Sequence, residues 1–316
     1  MSIPADRTPL PKAIAILGPT ATGKTALSVE IAQWLQTEII SADSQLIYRE
    51  LSIGTAKPSL AEQGGIPHHL IDVAEPTEVY SAASYQEQAS SVLKALQQAG
   101  KIPLVTGGTG FYLKALLQAD FIPSVPPNPA FREAMHQLAQ AHGSDFLHQK
   151  LNALDPVRAE ALHPNDTVRI IRALEIINAT GLPVPNAPIQ KSLDVLWLGL
   201  MYEDRDLLRA RIDARIEAMM EAGWLEEVES LVRQYGPEAH ALHVAHGYPE
   251  LMRVVLGQCS LPEALEQVRL NIHQYSRRQM TWFRRNPDIH WLACDTVEST
   301  LRVDWAKTRI LEWLNP

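Results

Sequence analysis

Gly18-Pro19-Thr20-Ala21-Thr22-Gly23-Lys24-Thr25 fills G-x-x-x-x-G-K-[ST] at every fixed position. Before it lies a short apolar run, Ala13 to Leu17; after it Leu27, Ile31, Trp34 and Leu35 recur at helical spacing. That order reads strand, loop, helix, a context that chance rarely supplies to a plain glycine turn. Gly23 permits the tight turn that aims successive backbone N–H groups inward. The helix that follows presents its positive end to the same point. Lys24 adds a mobile point charge, and the Thr25 hydroxyl is of a kind that ligates Mg²⁺. The eight residues therefore read as a P-loop, a cradle for the phosphates of a pyrophosphate-bearing ligand.

Working outward, Ile39 and Ile40 lead into Asp43, so a strand is expected to end just before that acid. Ala82 to Gly100 reads as a helix closed by glycine, followed by a strand at Ile102 to Val105 and a second glycine turn, Gly107 to Gly110. Alternation of this kind implies a parallel sheet with crossover helices, an α/β core of the P-loop NTPase type. Nucleotide hydrolases pair the P-loop with a second strand-end Asp that positions Mg²⁺. Here the second strand runs into Thr106-Gly107-Gly108-Thr109-Gly110 and has no acid. The arrangement is poor for an ATPase. It frees Asp43 for acid–base work and offers a second glycine turn whose backbone could come close to a substrate.

The pattern changes at Ile122 to Pro129, which holds four prolines, and again at the Pro-rich Gly181 to Pro188. Between them helical patterns run from about Ala130 to Thr180, and a strand-like run, Val195 to Leu200, follows. The expected layout is residues 1–122 as the first part of the core and 123–190 as a helical insertion. Residues 191–316 complete the core and add a helical C-terminal part, with Leu208 to Glu221 and Pro262 to Phe283 its clearest helices.

Across 316 residues, 46% are apolar and 20% charged, ordinary for a packed domain, and no apolar run is long enough for a membrane span. Met1 to Pro11 lacks the apolar stretch of a secretory signal. Cys259 and Cys294 have no CxxC spacing, which argues against a disulfide framework or structural zinc and for a reducing cytoplasm. His68-His69 is expected to be structural, because adjacent histidines point apart and lack partner acids at ligand spacing. Trp291, Leu292, Trp305 and Ile310 read as packing of the C-terminal segments.

The formal net charge is −8, yet Arg269, Arg277, Arg278, Arg284 and Arg285 fall in a stretch without a single acid. On a helix Arg277 and Arg284 share one side, Arg278 and Arg285 a neighbouring one, and Tyr275, Gln279 and Trp282 a further face. Arginines for phosphates, with glutamine and aromatic groups for splayed bases, suit single-stranded RNA. Trp282 and Phe283 read equally well as core.

Several blocks resemble one family, the tRNA dimethylallyltransferases. Asp43-Ser44-Gln45-Leu46-Ile47-Tyr48 and Ile53-Gly54-Thr55-Ala56-Lys57-Pro58 are similar to its signature after the loop. So are Gly65-Ile66-Pro67-His68-His69-Leu70-Ile71-Asp72, Gly107-Gly108-Thr109-Gly110-Phe111-Tyr112, and His163-Pro164-Asn165-Asp166 with Arg169 and Arg172. Arg211-Ile212 with Arg215, and Arg277-Arg278-Gln279-Met280-Thr281-Trp282-Phe283-Arg284, complete the likeness. It spans about residues 12 to 292. The chain departs from the family at Ser276-Arg277, where Ala-Lys is expected, and at His246 and Pro249, where Ile and Lys are usual; the second change removes a lysine able to meet an RNA phosphate.

The resemblance implies transfer of a dimethylallyl group from dimethylallyl diphosphate to N6 of the adenosine 3′ of a tRNA anticodon, with pyrophosphate released. It implies Asp43 as general base, Thr109 at the reaction centre, Arg215 on the diphosphate and Mg²⁺ at Thr25. For the tRNA anticodon stem-loop it implies contacts from Asp43, Ser44, Gln45, Leu46, Arg169, Arg172, Gly247, Tyr248, Arg277, Arg278, Gln279, Trp282, Arg284 and Arg285. A monomer without membrane contact is expected. The alternatives are a P-loop small-molecule kinase, for which the acid-free arginine helix has no use, and an RNA-binding protein with a nucleotide switch, which leaves Asp43 without a task.

Overall fold

Ala13 to Leu17 are buried without exception, which explains why the run is continuous rather than alternating. They form β1 (Lys12–Leu17), an inner strand of a six-stranded, all-parallel sheet in the computed structural model, which describes residues 10–118, 125–184 and 192–315. The chain divides into two compact units, Met1–Ala119 with Lys191–Pro316, and Asp120–Gln190. The expected junctions at 122–129 and 181–188 fall partly outside the described residues.

After β1 come α1 (Lys24–Leu35), β2 (Ile39–Ser41), β3 (His68–His69), α2 (Ala82–Gln98), β4 (Leu104–Gly107) and α3 (Gly110–Leu117). The smaller unit holds α4 (Pro129–His142), α5 (Ser144–Leu154), α6 (Pro156–Glu160) and α7 (Thr167–Thr180). The larger unit resumes with β5 (Asp194–Met201), α8 (Arg205–Glu221), α9 (Trp224–Tyr235) and α10 (His240–Val244). It ends with α11 (Tyr248–Val255), α12 (Leu261–Phe283), β6 (Ile289–Ala293) and α13 (Ser299–Leu314).

Strand order is β3-β2-β4-β1-β5-β6. Along β1 the side chains alternate between two cores: Ala13, Ala15 and Leu17 pack with α2, α3, α8 and α12, while Ile14 and Ile16 pack with α1 and α13. Leu17 lies opposite both Gly107 and Gly199, and Ser41 lies opposite Thr106. That register brings the carboxyl ends of β1, β2 and β4 level. The loops after them therefore share one edge, where ligands of open parallel sheets bind. Among the described residues no helix is long and apolar enough to cross a membrane.

Some expectations shift. Trp34 is exposed rather than on the buried face of α1, and the strand expected at Ile102 to Val105 is β4, displaced two residues toward the glycine turn. Trp291 and Leu292 belong to a further strand, β6, paired with β5, instead of loose C-terminal packing.

The smaller unit is built on a buried carboxylate. Glu175 on α7 is 2% exposed and accepts from Arg132 Nε and Nη2 at 2.9 and 2.8 Å, from the Asn128 N–H at 2.6 Å, and from Arg172. Arg172 also donates to the Val125 carbonyl at 2.8 Å. Its guanidinium is thus committed to this network, which corrects its reading as a tRNA contact. Arg169 remains exposed, beside Asp166 at 3.2 Å. Burial works to raise the Glu175 carboxyl, but the hydrogen bonds from Arg132, Asn128 and Arg172 outweigh it and hold the group at about 2.

A depressed carboxylate contributes fully above its ordinary value of 4.5 and loses that contribution as pH falls toward about 2. Replacing Glu175 by Gln should therefore cost roughly 3 kcal/mol of stability at neutral pH, with the gap to wild type narrowing across that acid window. Chemical denaturation at the two pH extremes checks this, and equal stability at neutral pH would contradict it.

Candidate active site at the carboxyl edge of the sheet

Gly18 has φ 152°, and a Cβ there would lie 2.3 Å from the Leu200 carbonyl oxygen, so the loop can leave β1 only with glycine. Gly23, at φ 88° and ψ 21°, caps α1. Between them Thr22 Oγ1 and Lys24 Nζ both donate to the Pro19 carbonyl, at 2.9 and 2.7 Å, which closes the loop on itself. Arg211 Nε on α8 donates to the Ala21 carbonyl at 3.1 Å and holds the loop from outside.

Thr20, Lys24 and Thr25 line an open cleft of about 780 Å³, together with Asp43, Gln45, Leu46 and Arg215. One wall is apolar: Ile212, Ile216 and Met219 of α8, facing Ile272 of α12. Burial pushes the Lys24 ammonium down to about 8; the Asp43 carboxylate opposes that shift and the Arg215 charge adds to it. Burial also lowers Arg215, again against Asp43. Among the described residues the Arg215 guanidinium has no hydrogen bond or ion pair. A half-buried cation without a hydrogen-bonded partner, beside a second cation, suits an anionic ligand.

Asp43 lies two residues past the end of β2, and its Oδ1 accepts the Gln45 N–H at 3.0 Å. Thr109 holds this turn in place. Its Oγ1 accepts the Ser44 N–H at 3.0 Å and donates to Ser44 Oγ at 3.2 Å, while its own N–H donates to the Ala42 carbonyl at 3.1 Å. The structure thus gathers Asp43, Ser44, Gln45, Leu46 and Thr109 around the mouth of the P-loop.

Gln279 is placed otherwise than expected. It is buried, its Oε1 accepts the Thr20 N–H at 3.1 Å, and its Nε2 donates to the Gly108 carbonyl at 2.9 Å. Both ends of the amide are occupied, so it clamps the P-loop to the second glycine turn and does not offer an edge to RNA. That turn also receives α12: a Cβ at Gly108 would meet Gln279 Nε2 at 2.3 Å, and one at Gly110 would meet Trp282 Cε3 at 2.2 Å. Trp282 is half-buried there under Lys114, at 5.1 Å, and Phe283 is core.

Tyr248 is also corrected from an RNA contact to core. It is fully buried, edge-on to Trp224, and its hydroxyl donates to Glu227 at 2.6 Å. Gly247 has no room for a Cβ, which would lie 2.2 Å from the Trp224 ring. Arg277, Arg278, Arg284 and Arg285 are exposed, as an RNA-facing edge requires. His68 Nδ1 bonds the Ile66 carbonyl and His69 Nε2 bonds Glu38, so both are structural in β3.

Two features escaped the sequence reading. Glu227 accepts N–H groups from Ser52, Ile53 and Gly54 at 2.8, 2.8 and 3.2 Å and so fixes the loop whose Gly54, Thr55 and Ala56 line the cleft. No local pattern marks an acid 173 residues from its partner. The apolar wall was visible as Ile212, Ile216 and Met219, spaced around Arg215 on one helix, but such spacing ordinarily signals core.

The family model described as IPP transferase matches residues 46–286. A tRNA dimethylallyltransferase of Shouchella clausii is 42% identical over 92% of this chain and 94% of its own, and one of Gloeobacter violaceus is 44% identical over 89% and 92%. Among solved structures, the tRNA isopentenylpyrophosphate transferase of Bacillus halodurans superposes with a TM-score of 0.73 at 35% identity, covering 96% of each chain. A eukaryotic dimethylallyltransferase acting on tRNA gives 0.78 at 28% identity, covering 90% of this chain and 74% of its own. With more than half its length matched to the family model, and its fold and cleft in the arrangement described, the chain belongs to the IPP transferase family.

Proposed function

We propose that this protein transfers the dimethylallyl group of dimethylallyl diphosphate to N6 of the adenosine 3′-adjacent to a tRNA anticodon, releasing pyrophosphate. The observation that carries the reading is the unpartnered Arg215, set with Lys24 in a cleft that has an apolar wall and holds Asp43. The cations suit a diphosphate. The wall of Ile212, Ile216, Met219 and Ile272 suits a five-carbon apolar tail. The tRNA dimethylallyltransferases to which the chain is similar support the same substrates.

In this reading the bond from carbon to the diphosphate oxygen breaks, and its electron pair leaves with pyrophosphate. N6 supplies the pair for the new C–N bond, and Asp43 accepts the proton that N6 sheds. Charge that builds on the leaving oxygen is met by the loop N–H groups, Lys24 and Arg215, all fixed beforehand. Thr109 acts by holding Ser44 and hence the turn that carries Asp43. Mg²⁺ bound at the diphosphate would add charge to the leaving group. The donors fit such a weakly held ion: the Thr25 hydroxyl lines the cleft, and no group of three His, Cys, Asp or Glu occurs among the described residues. Mg²⁺ ordinarily keeps several waters and leans on substrate phosphates.

The acceptor adenosine has to leave its stack to reach a carboxylate inside a cleft. Ser44, Gln45 and Leu46 beside Asp43 would flank it, with the exposed Arg277 and Arg278 of α12, and Arg284 and Arg285 just after it, on the RNA backbone. Arg169 of the smaller unit is proposed as a further contact with the anticodon loop. A monomer is proposed as the working unit, and the free thiols Cys259 and Cys294 suit a reducing cytoplasm. A P-loop kinase is not favoured, since β4 ends in Thr106-Gly107 with no second acid for the metal.

Transfer to unmodified tRNA is expected to fall at least about a hundredfold in both Asp43→Ala and Asp43→Asn, with RNA binding retained. Near-normal transfer by Asp43→Asn would exclude the carboxylate as base. A second expectation follows from Lys24. The ammonium binds the diphosphate only while charged, so kcat/KM for dimethylallyl diphosphate should decline above about pH 8, the value burial gives it in the free protein. A profile that stays level up to the ordinary lysine value of 10.5 would show that Lys24 does not carry this charge.

A further inference from the structure

His246 stands in the cleft wall, and it lines the same space as Asp43, Gln45 and Tyr275. Its place is fixed on three sides. The backbone N–H donates to Gln45 Oε1 at 3.2 Å, and the imidazole packs against the Tyr275 ring at 3.9 Å between centroids, tilted by 48°. Gly247, next in the chain, is pressed onto Trp224 with no room for a Cβ. Yet neither ring nitrogen has a hydrogen-bond partner among the described residues. An imidazole held this firmly, half-buried and unpaired, presents a donor and an acceptor to whatever enters the cleft.

We infer that His246 is a positioning residue for the acceptor base: its imidazole hydrogen-bonds a ring nitrogen of the flipped adenine and holds N6 toward Asp43. This rests on the transfer reaction proposed above. The diphosphate is excluded as the partner by placement, because Lys24 and Arg215 already meet it from the P-loop and α8. The nucleobase is the substrate part that carries both donors and acceptors at its edge, matching the neutral imidazole in either tautomer. An isoleucine at the same position fills the space and leaves the base edge unpaired. Burial lowers the His246 pKa, with Asp43 opposing and Arg278 adding to the shift, so the neutral form is the one present at neutral pH.

The test combines His246→Ile and His246→Gln with anticodon stem-loops that carry adenosine, 1-deazaadenosine, 3-deazaadenosine or 7-deazaadenosine at the acceptor position. Wild type is expected to lose roughly tenfold in kcat/KM for one of the three analogues, the energy of one hydrogen bond. His246→Ile should lose about tenfold on the natural stem-loop but nothing further on that same analogue, the non-additivity expected of two groups in contact. His246→Gln, which keeps a donor and an acceptor, should recover part of the loss, and KM for dimethylallyl diphosphate should not move in either variant. Losses that multiply for every analogue, or an equal rise in both KM values, would show that His246 only packs against Tyr275 and overturn the inference. If wild type transfers no dimethylallyl group to any stem-loop, the transfer reading itself fails and this one with it.

Discussion

Lys24 and Arg215 bring two like charges into one cleft, and the larger unit is organised around tolerating that repulsion. Each is lowered by burial, and the single opposing carboxylate, Asp43, offsets the cost without forming a hydrogen bond to Arg215. Such an arrangement is costly, since a partly desolvated cation that lacks a hydrogen-bonded counter-charge is not fully compensated. The parallel sheet makes it possible. Level carboxyl ends of β1 and β2 deliver the P-loop and Asp43 to one edge, and α8 carries Arg215 together with the apolar residues that keep water away. In the proposed reaction an incoming diphosphate would relieve the repulsion, and the same preset charges would then meet the negative charge that grows as its bond to carbon breaks.

Helix α12 ties this electrostatic centre to the exposed arginines proposed to face RNA. The outward arginines Arg277 and Arg278 on it, and Arg284 and Arg285 just past its end, lie close in sequence to Gln279, whose amide bridges the Thr20 N–H and the Gly108 carbonyl. Trp282 seats the same helix against Gly110. The second glycine turn is therefore glycine-rich to admit a helix, and the tightness of that fit leaves the helix little freedom to move without moving the P-loop. A rigid mount of this kind suits a site that has to align two substrates at ångström tolerance.

Much of this was legible beforehand because the deciding signals are local. The octet Gly18 to Thr25, the acid at the end of Ile39-Ile40, and the acid-free arginine stretch each announce chemistry within a few residues. What stayed hidden depends on distant partners. Gln279 looked like an RNA reader because nothing near it in sequence reveals that Thr20 and Gly108 take both ends of its amide. Tyr248 and Arg172 were misplaced for the same reason, one claimed by Glu227 and the other by Glu175. Strand β6 escaped because Ile289 to Ala293 is only five residues long, buries just Ile289 and Leu292 without strict alternation, and becomes a strand only by pairing with β5.

The pairing of an unsatisfied Arg215 with a diphosphate is the claim on which the rest stands, and binding alone can test it without chemistry. Calorimetric titration of dimethylallyl diphosphate and of ATP into wild type and Arg215→Ala separates the possibilities. The account predicts that wild type binds dimethylallyl diphosphate in preference to ATP and that Arg215→Ala weakens that binding at least roughly tenfold, the loss of one charge-assisted contact. Unchanged affinity for dimethylallyl diphosphate in Arg215→Ala, or tighter binding of ATP by wild type, would contradict it.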